Sequence, residues 1–140
     1  MPQRAVLLDT SFILALENRD DAHHERAKSL DRKLVDEGCA YVFHWGILLE
    51  IADGYARISR RSKALQLIQR FETEQGYILH PITEPILQQA LALYRSRSDK
   101  EWGLTDCVSF VLMNREGITE ALTADIHFRQ AGFIAMLLEK

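Results

Sequence analysis

The sequence predicts an α/β protein in which a parallel sheet carries helices on both of its faces. Short apolar runs typical of buried strands alternate with segments of helical length and periodicity along the whole chain. Consecutive parallel strands need a crossover between them, and the intervening helices supply it. Residues 1–140 fit a single domain, since we find no linker, internal repeat or low-complexity segment. We therefore expect one domain built on four or five parallel strands.

The first four predicted elements are a strand, two helices and a second strand. In chain order they are a strand at 5–8, a helix that Thr10 or Ser11 caps and that runs to Leu16, an amphipathic helix at 21–37, and a strand at 40–43. Residues 5–8 are all apolar, as in a buried strand. Ala27, Leu30 and Leu34 fall on one face of the second helix, and Gly38 is a plausible stop after it.

The middle of the chain continues the same alternation. The predicted elements are a helix at 45–56, an amphipathic helix at 62–74, a strand at 77–79 and a helix at 84–96. The first of these helices is apolar nearly all round, so we expect it to be buried, with Trp45 in the core. Thr83 is the expected cap of the last helix, because Pro85 then falls in its first turn.

The last part supplies two further strands. We expect a polar loop at 98–103, a helix that Thr105 caps and that runs from Asp106 to about Arg115, a strand at 120–123, a short helix from Asp125 to Gly132, and a strand at 133–137.

Composition limits the possible classes of function. The net charge of −3 does not indicate a nucleic-acid-binding protein, although local patches and bound metal can still create such a site. Cys39 and Cys107 are far apart, so a disulfide framework and a thiolate zinc site are both disfavoured and a reducing cytoplasm is expected. No signal peptide is recognisable, and no apolar run approaches the roughly 18 residues that a bilayer requires.

Four acidic residues interrupt or adjoin apolar segments, and they are Asp9, Glu50, Asp106 and Asp125. Carboxylates are rarely buried without a partner, because an ionised carboxylate in an apolar setting costs several kcal/mol. Asp9 and Asp125 directly follow predicted strands, and ligands of open parallel sheets bind beyond the carboxyl ends of the strands. Glu50 lies about two turns into its helix, within plausible reach of the same edge.

A divalent cation is the simplest shared partner for these carboxylates. Three or four carboxylates around one or two Mg²⁺ or Mn²⁺ ions form a hydrolytic site that acts on phosphate esters. The absence of His and Cys from the four positions disfavours zinc. Each acid also has a structural alternative: Asp9 and Asp125 as helix caps, Asp106 as a first-turn acid that complements the helix dipole, and Glu50 as a paired acid.

The four acids lie in strings that together resemble the motifs of a PIN domain. These strings are VLLDTSFILALE with Asp9, LLEIADG with Glu50, LTDCVSFVLM with Asp106, and ALTADIHFRQAGF with Asp125; DAHHERA at 21–27 is also similar to a family segment. The resemblance extends over essentially the whole chain. It implies a three-layer α/β/α sandwich and a Mg²⁺- or Mn²⁺-dependent endoribonuclease, with the four acids as metal ligands and catalytic residues. The implied products carry a 5′-phosphate and a 3′-hydroxyl.

Single-domain chains of this size resemble the VapC-type toxins of toxin–antitoxin pairs. The resemblance implies an RNA substrate, a small antitoxin partner, a homodimer and no membrane association. Two other functions remain as alternatives. One is a PIN-like nucleic-acid-binding or regulatory module with little cleavage activity. The other is a phosphatase similar to the haloacid dehalogenases, which is disfavoured because Thr10 and Ser11 follow Asp9 where that family needs Asp-x-Asp.

Several residues near the motifs have two interpretations each. Asp99 is a candidate fifth acid or a solvated loop charge. The hydroxyls of Thr10, Ser11, Thr105 and Thr123 either orient the carboxylates or cap helices.

Basic and aromatic residues are the remaining candidates. His127 could approach a phosphate, whereas His23, His24, His44 and His80 are expected to be structural or solvated. The basic run 57–63 could hold RNA phosphates, lie in solvent or face an acidic antitoxin. Trp102 could stack on a base or pack in the core.

Overall fold

The structure is a computed structural model that describes residues 3–139. Within this range the chain forms five strands: β1 (Ala5–Leu8), β2 (Ala40–His44), β3 (Tyr77–His80), β4 (Glu120–Leu122) and β5 (Ile134–Ala135). The seven α-helices of the same range are α1 (Thr10–Glu17), α2 (His24–Asp36), α3 (Trp45–Gly54), α4 (Arg61–Thr73), α5 (Glu84–Ser96), α6 (Leu104–Glu116) and α7 (Ile126–Gln130). Short 3₁₀ turns lie at Ile58–Arg60 and Met136–Leu138.

All five strands form one parallel sheet in the order β3-β2-β1-β4-β5. Val6, Leu7 and Leu8 are fully buried, and every residue of β2 is buried. Successive residues of a strand point to opposite faces, so burial of consecutive residues requires cover on both faces of the sheet. The predicted three-layer α/β/α sandwich is thereby confirmed.

The order of the strands reverses direction between β1 and β4. From β1 the chain adds β2 and then β3 on one side, and it later adds β4 and β5 on the other side. Such a topological switch point leaves a crevice at the carboxyl ends of the two neighbouring strands. Asp9 follows β1, and its backbone N–H donates to the carbonyl of Leu122 at the end of β4. The crevice therefore lies where the first of the four acids is placed.

The prediction that α3 is buried all round, with Trp45 in the core, is wrong. Trp45 is 48% exposed and Leu49 is 59% exposed, whereas Ile47 and Ile51 are fully buried. An apolar composition on every side of a helix does not fix which side the rest of the domain covers. The helix also ends at Gly54 rather than at residue 56.

Four further predictions about the elements need correction. Residues 21–23 precede α2 rather than form its first turn, and the last strand is limited to Ile134–Ala135 because Met136–Leu138 turn into a 3₁₀ segment. Asp9, rather than Thr10 or Ser11, occupies the cap position of α1. Gly103 caps α6 in place of Thr105, and the Asp106 side chain accepts a hydrogen bond from the Gly103 N–H. Asp106 is the third residue of α6, and its carboxylate satisfies the backbone N–H of the cap residue Gly103. The helix therefore starts at Leu104, two residues earlier than a Thr105 cap would predict.

Candidate active site at the switch point

The carboxylate of Asp9 lies at the base of the crevice and is 8% exposed. Thr123 Oγ1 donates to its Oδ2 at 2.8 Å, and Ser11 Oγ donates to the same oxygen at 3.0 Å. Neither hydroxyl contacts Oδ1. The expectation that hydroxyls orient a carboxylate is thus met at Ser11 and Thr123, and these contacts leave one oxygen of Asp9 for another partner.

Burial raises the pKa of Asp9 above its ordinary value, because desolvation disfavours the charged form. The hydrogen bonds from Thr123 and Ser11 oppose this shift, and the nearby charge of Asp106 adds to it. A buried carboxylate next to a second carboxylate lacks compensating positive charge. A cation bound in the crevice would supply that charge.

Thr123 and Ser11 also join the first and last motifs through the backbone. The N–H of Asp125 donates to Thr123 Oγ1 at 3.0 Å, and the N–H of Ala124 donates to Ser11 Oγ at 3.0 Å. Each hydroxyl accepts from one backbone group while it donates to Asp9, so the segment after β4 is fixed against the start of α1. This arrangement sets Asp125 beside Asp9, although more than a hundred residues separate them in the chain.

Asp125 occupies the cap position of α7. Its Oδ1 accepts a hydrogen bond from the backbone N–H of His127 at 2.9 Å. The capping role that the sequence left open is therefore present. It does not compete with a site role, because a carboxylate has further lone pairs for other partners.

Asp106 and His127 complete the side of the crevice next to α6. His127 Nδ1 lies 3.1 Å from Asp106 Oδ2 and 3.3 Å from Asp125 Oδ1. One ligand atom from each of the three residues falls within 4.8 Å of the others. Among residues 3–139, His127 is the one basic residue with a side-chain nitrogen within 4.0 Å of any carboxylate oxygen of the four acids, and it contacts Asp106 and Asp125.

Glu50 reaches the crevice from α3, and Thr10 Oγ1 donates to its Oε1 at 2.9 Å. Partial desolvation raises the pKa of Glu50. The hydrogen bond from Thr10 opposes this shift, and the charges of Asp9, Asp106 and Asp125 add to it. The carboxylates of these four residues are hereafter called the acidic cluster. All four predicted acids therefore lie close enough to interact electrostatically at one end of the sheet.

Asp99 has partners of its own away from the acidic cluster. Arg97 donates to both of its oxygens at 2.9 and 3.0 Å, and Lys100 Nζ lies 3.9 Å away. The Arg97 guanidinium lowers the pKa of Asp99 below its ordinary value. Its solvated-charge interpretation fits this arrangement, and its part in a site stays an unsupported prediction.

Burial decides between the alternative roles predicted for Trp102 and for His44. Trp102 is 6% exposed, packs edge-on against Phe110 with ring centroids 5.0 Å apart, and donates from Nε1 to Gln130 Oε1. It belongs to the core and presents no free face for a base. His44 is buried and structural: its Nδ1 accepts from the Gly46 N–H, so Nε2 donates to Ser109 Oγ at 2.8 Å.

His127 is the residue whose position in the site the sequence did not reveal. The sequence left it as a residue that could approach a phosphate, whereas its imidazole contacts two of the four acids directly. The spacing of two residues after Asp125 was the available signal, because an Asp that caps a helix accepts from the backbone N–H of the second or third helical residue and so lies close to it.

Comparisons with known proteins agree with this geometry. The PIN domain family model matches residues 6–134. The 23S rRNA-specific endonuclease VapC20 of Mycobacterium tuberculosis is 28% identical over 133 residues, which cover 92% of this chain and 95% of that protein. The crystal structure of the same VapC20, described as a sarcin–ricin loop cleaving toxin, superposes with a TM-score of 0.80 at 25% identity, covering 93% of this chain and 97% of that one.

A more distant structure shares the fold. The crystal structure of FitAcB from Neisseria gonorrhoeae has a TM-score of 0.64 at 22% identity and covers 92% of this chain and 94% of that chain. Within the described residues, no helix combines the length and apolar character that crossing a membrane would require.

Proposed function

Because this chain belongs to the PIN domain family, we propose that it is a metal-dependent endoribonuclease that acts as the toxin of a toxin–antitoxin pair. The observation that carries the proposal is the acidic cluster at the switch point. Supporting it, the alignment with a 23S rRNA-specific endonuclease extends over nearly the full length of both chains. The reaction is hydrolysis of a phosphodiester bond in RNA, with Asp9, Glu50, Asp106 and Asp125 as the catalytic and metal-binding residues.

The donor set fits Mg²⁺ or Mn²⁺, one or two ions, better than zinc or copper. Carboxylate oxygens predominate, and the two free, buried cysteines do not belong to the group of candidate ligands that Asp106, Asp125 and His127 form. The hydroxyls of Thr123 and Ser11 both donate to Oδ2 of Asp9, so Oδ1 is the oxygen available for an ion. A bound ion would lower the pKa of a water and stabilise negative charge on a phosphoryl oxygen.

The side chains have distinct roles in this hydrolysis. Asp9 and Asp106 would hold the ion, and the hydroxyls of Thr123 and Ser11 keep the Asp9 carboxylate in one orientation. Glu50 or Asp125 orients the water that attacks phosphorus. The water oxygen forms a bond to phosphorus while the bond from phosphorus to the leaving 3′ oxygen breaks. The proton that the water loses passes to the carboxylate that orients it, and the 3′ oxygen takes a proton from solvent, which gives a 3′-hydroxyl and a 5′-phosphate.

A basic cavity next to the acidic cluster supports binding of RNA. It has a volume of about 610 Å³, and Arg95, Arg97 and Lys100 line it. Gly103, whose backbone N–H donates to the Asp106 carboxylate, also lines this cavity. Cationic side chains beside an acidic centre hold phosphates that the carboxylates alone would repel. Arg97 and Lys100, rather than only the basic run 57–63, are therefore the first residues to test for RNA contact.

Exposed apolar side chains of α3, α4 and the turn between them support a protein partner. Trp45, Leu49, Ile58 and Leu65 are 48%, 59%, 94% and 61% exposed. Exposed apolar groups in one region mark interaction surfaces more often than single scattered ones do. We assign this region to the antitoxin or to the second subunit of a homodimer, and we place the protein in the cytoplasm.

The test is cleavage of purified ribosomes or 23S rRNA with Mg²⁺ or Mn²⁺, read as new 5′ ends. Asp9→Asn and Asp106→Asn should each abolish cleavage and growth arrest, while circular dichroism reports an unchanged fold. Glu116→Gln is the matched control, because that carboxylate lies near His80 outside both the cluster and the basic cavity, and it should cleave normally. Full cleavage by both cluster variants would contradict the assignment.

A further inference from the structure

His127 adds a nitrogen to a site that otherwise offers oxygens. It is the second residue of α7, and its side chain is 24% exposed. Its Nδ1 lies 3.1 Å from Asp106 Oδ2 and 3.3 Å from Asp125 Oδ1, so it faces two of the four acids rather than solvent. The proposed function assigns this imidazole no role.

The separations among these atoms match those of neighbouring ligands on one ion. Two cis ligands at about 2.1 Å from an octahedral ion lie about 3.0 Å from each other. The measured distances of 3.1 and 3.3 Å are close to that value. Nδ1 is therefore spaced to share an ion with either carboxylate, and all three ligand atoms lie within 4.8 Å of one another.

The two carboxylates are also held in place by the backbone. Asp106 Oδ2 accepts from the Gly103 N–H at 3.1 Å, and Asp125 Oδ1 accepts from the N–H of His127 itself at 2.9 Å. Each carboxylate oxygen thus has one backbone donor and keeps lone-pair capacity for a further partner. Fixed ligands lose less freedom on binding, which favours coordination by all three.

We propose that His127 is a metal ligand through Nδ1 and that it makes the site prefer Mn²⁺, and more strongly Co²⁺, to Mg²⁺. Imidazole suits transition metals, whereas Mg²⁺ takes carboxylate, carbonyl and water oxygens. Loss of this nitrogen therefore costs affinity for Mn²⁺ and leaves that for Mg²⁺ nearly unchanged. The inference rests on the proposed metal dependence of the enzyme and names the residue that sets its choice of ion.

The alternative role of His127 is to donate a hydrogen bond to Asp106 and hold that carboxylate in position. His127→Asn separates the two roles. The Asn amide can still donate to a neighbouring carboxylate, but it removes the imidazole nitrogen. His80→Asn is the control, since His80 bonds the Pro81 carbonyl and Glu116, neither of which belongs to the acidic cluster.

The experiment measures Mn²⁺ bound to the purified full chain. Electron spin echo envelope modulation of the Mn²⁺ complex should show coupling to an imidazole ¹⁴N in the wild type and in His80→Asn, and none in His127→Asn. Titration of free Mn²⁺ by electron paramagnetic resonance should give a dissociation constant at least about tenfold weaker in His127→Asn, since even outer partners of a metal ligand are worth 10–100-fold in affinity. Competition with Mg²⁺ should show an almost unchanged Mg²⁺ affinity.

Two outcomes would overturn the inference, and they differ in what else they imply. If the wild type binds Mn²⁺ and cleaves RNA but its spectrum lacks the ¹⁴N coupling, His127 only positions Asp106 and the proposed function stands. Retention of both the coupling and the Mn²⁺ affinity in His127→Asn gives the same conclusion. If the wild type neither binds Mn²⁺ nor cleaves RNA, the metal-dependent nuclease is rejected together with the ligand role.

Discussion

The buried imidazole of His44 should make the stability of the fold depend on pH. Burial lowers the pKa of His44 from 6.5 to about 4, with a further small contribution from the charge of His80. The side chain is 1% exposed and serves as a neutral acceptor for Gly46 and a donor to Ser109. The unfolded chain therefore binds a proton near pH 6.5 that the folded protein rejects until about pH 4.

The sign and size of the effect follow from linkage. Stability rises with pH wherever the unfolded state binds more protons, so stability is lost as pH falls from about 6.5 to about 4. With these two pKa values, the loss between pH 7 and pH 5 is about 2 kcal/mol of the free energy of unfolding. Urea unfolding followed by circular dichroism at the two pH values measures it.

Two variants isolate the contribution of His44 from that of Asp9 and Glu50, whose pKa values burial raises. His44→Asn retains a side-chain cap for α3 but has no titratable group, so the fall in stability from pH 7 to pH 5 should be about 2 kcal/mol smaller than in the wild type. Ser109→Ala removes the hydroxyl that His44 contacts yet keeps the imidazole buried, and it should retain the full fall. An equal fall in wild type and His44→Asn would refute the reasoning.

Two further predictions concern α3. In the metal-free protein, Glu50→Gln should raise the melting temperature and add no more than about 1 kcal/mol to the free energy of unfolding, because it removes one of four mutually repelling charges at a partly exposed position. Thr10→Val, which removes only the hydroxyl bound to Glu50, should not raise the melting temperature. A marked drop in the melting temperature of Glu50→Gln would identify Glu50 as a structurally paired acid. Gly46→Ala should destabilise the fold by about 1–3 kcal/mol, since the added Cβ would lie 2.8 Å from His44 Cε1 and 3.3 Å from Thr105 Cγ2. In Gly54→Ala, in the same helix, the added Cβ meets no atom within 4 Å, so this variant should be neutral or stabilising. Equal melting temperatures for the two variants would show that His44 moves freely.

The architecture could be predicted because its signals are local. The runs at 5–8, 40–43 and 77–79 are short, apolar and bounded by polar or turn residues, and each became a strand within one residue of the expected bounds. The meeting of Asp9 with Asp125 followed from the same reasoning. Residues that directly follow parallel strands gather at one edge of the sheet, whatever their separation in sequence.

Features that depend on tertiary contacts could not be predicted. Trp45 and Leu49 lie on a helix that is apolar on every side, and only the packed domain decides which side stays uncovered. The early start of α6 depends on a hydrogen bond from the backbone of Gly103, a residue that has no side chain to signal a cap. Similarly, the contact of His127 with Asp106 joins separate helices, and no pattern within either helix encodes it.

The pairing of β1 with β4 has a consequence for how this protein is made. Asp9 is synthesised more than a hundred residues before Thr123, which fixes its carboxylate, and before Asp125. A nascent chain that is still being extended through α6 carries Asp9, Glu50 and Asp106 but neither Thr123 nor Asp125. The acidic cluster therefore stays incomplete on the ribosome until the segment that follows β4 emerges from the exit tunnel.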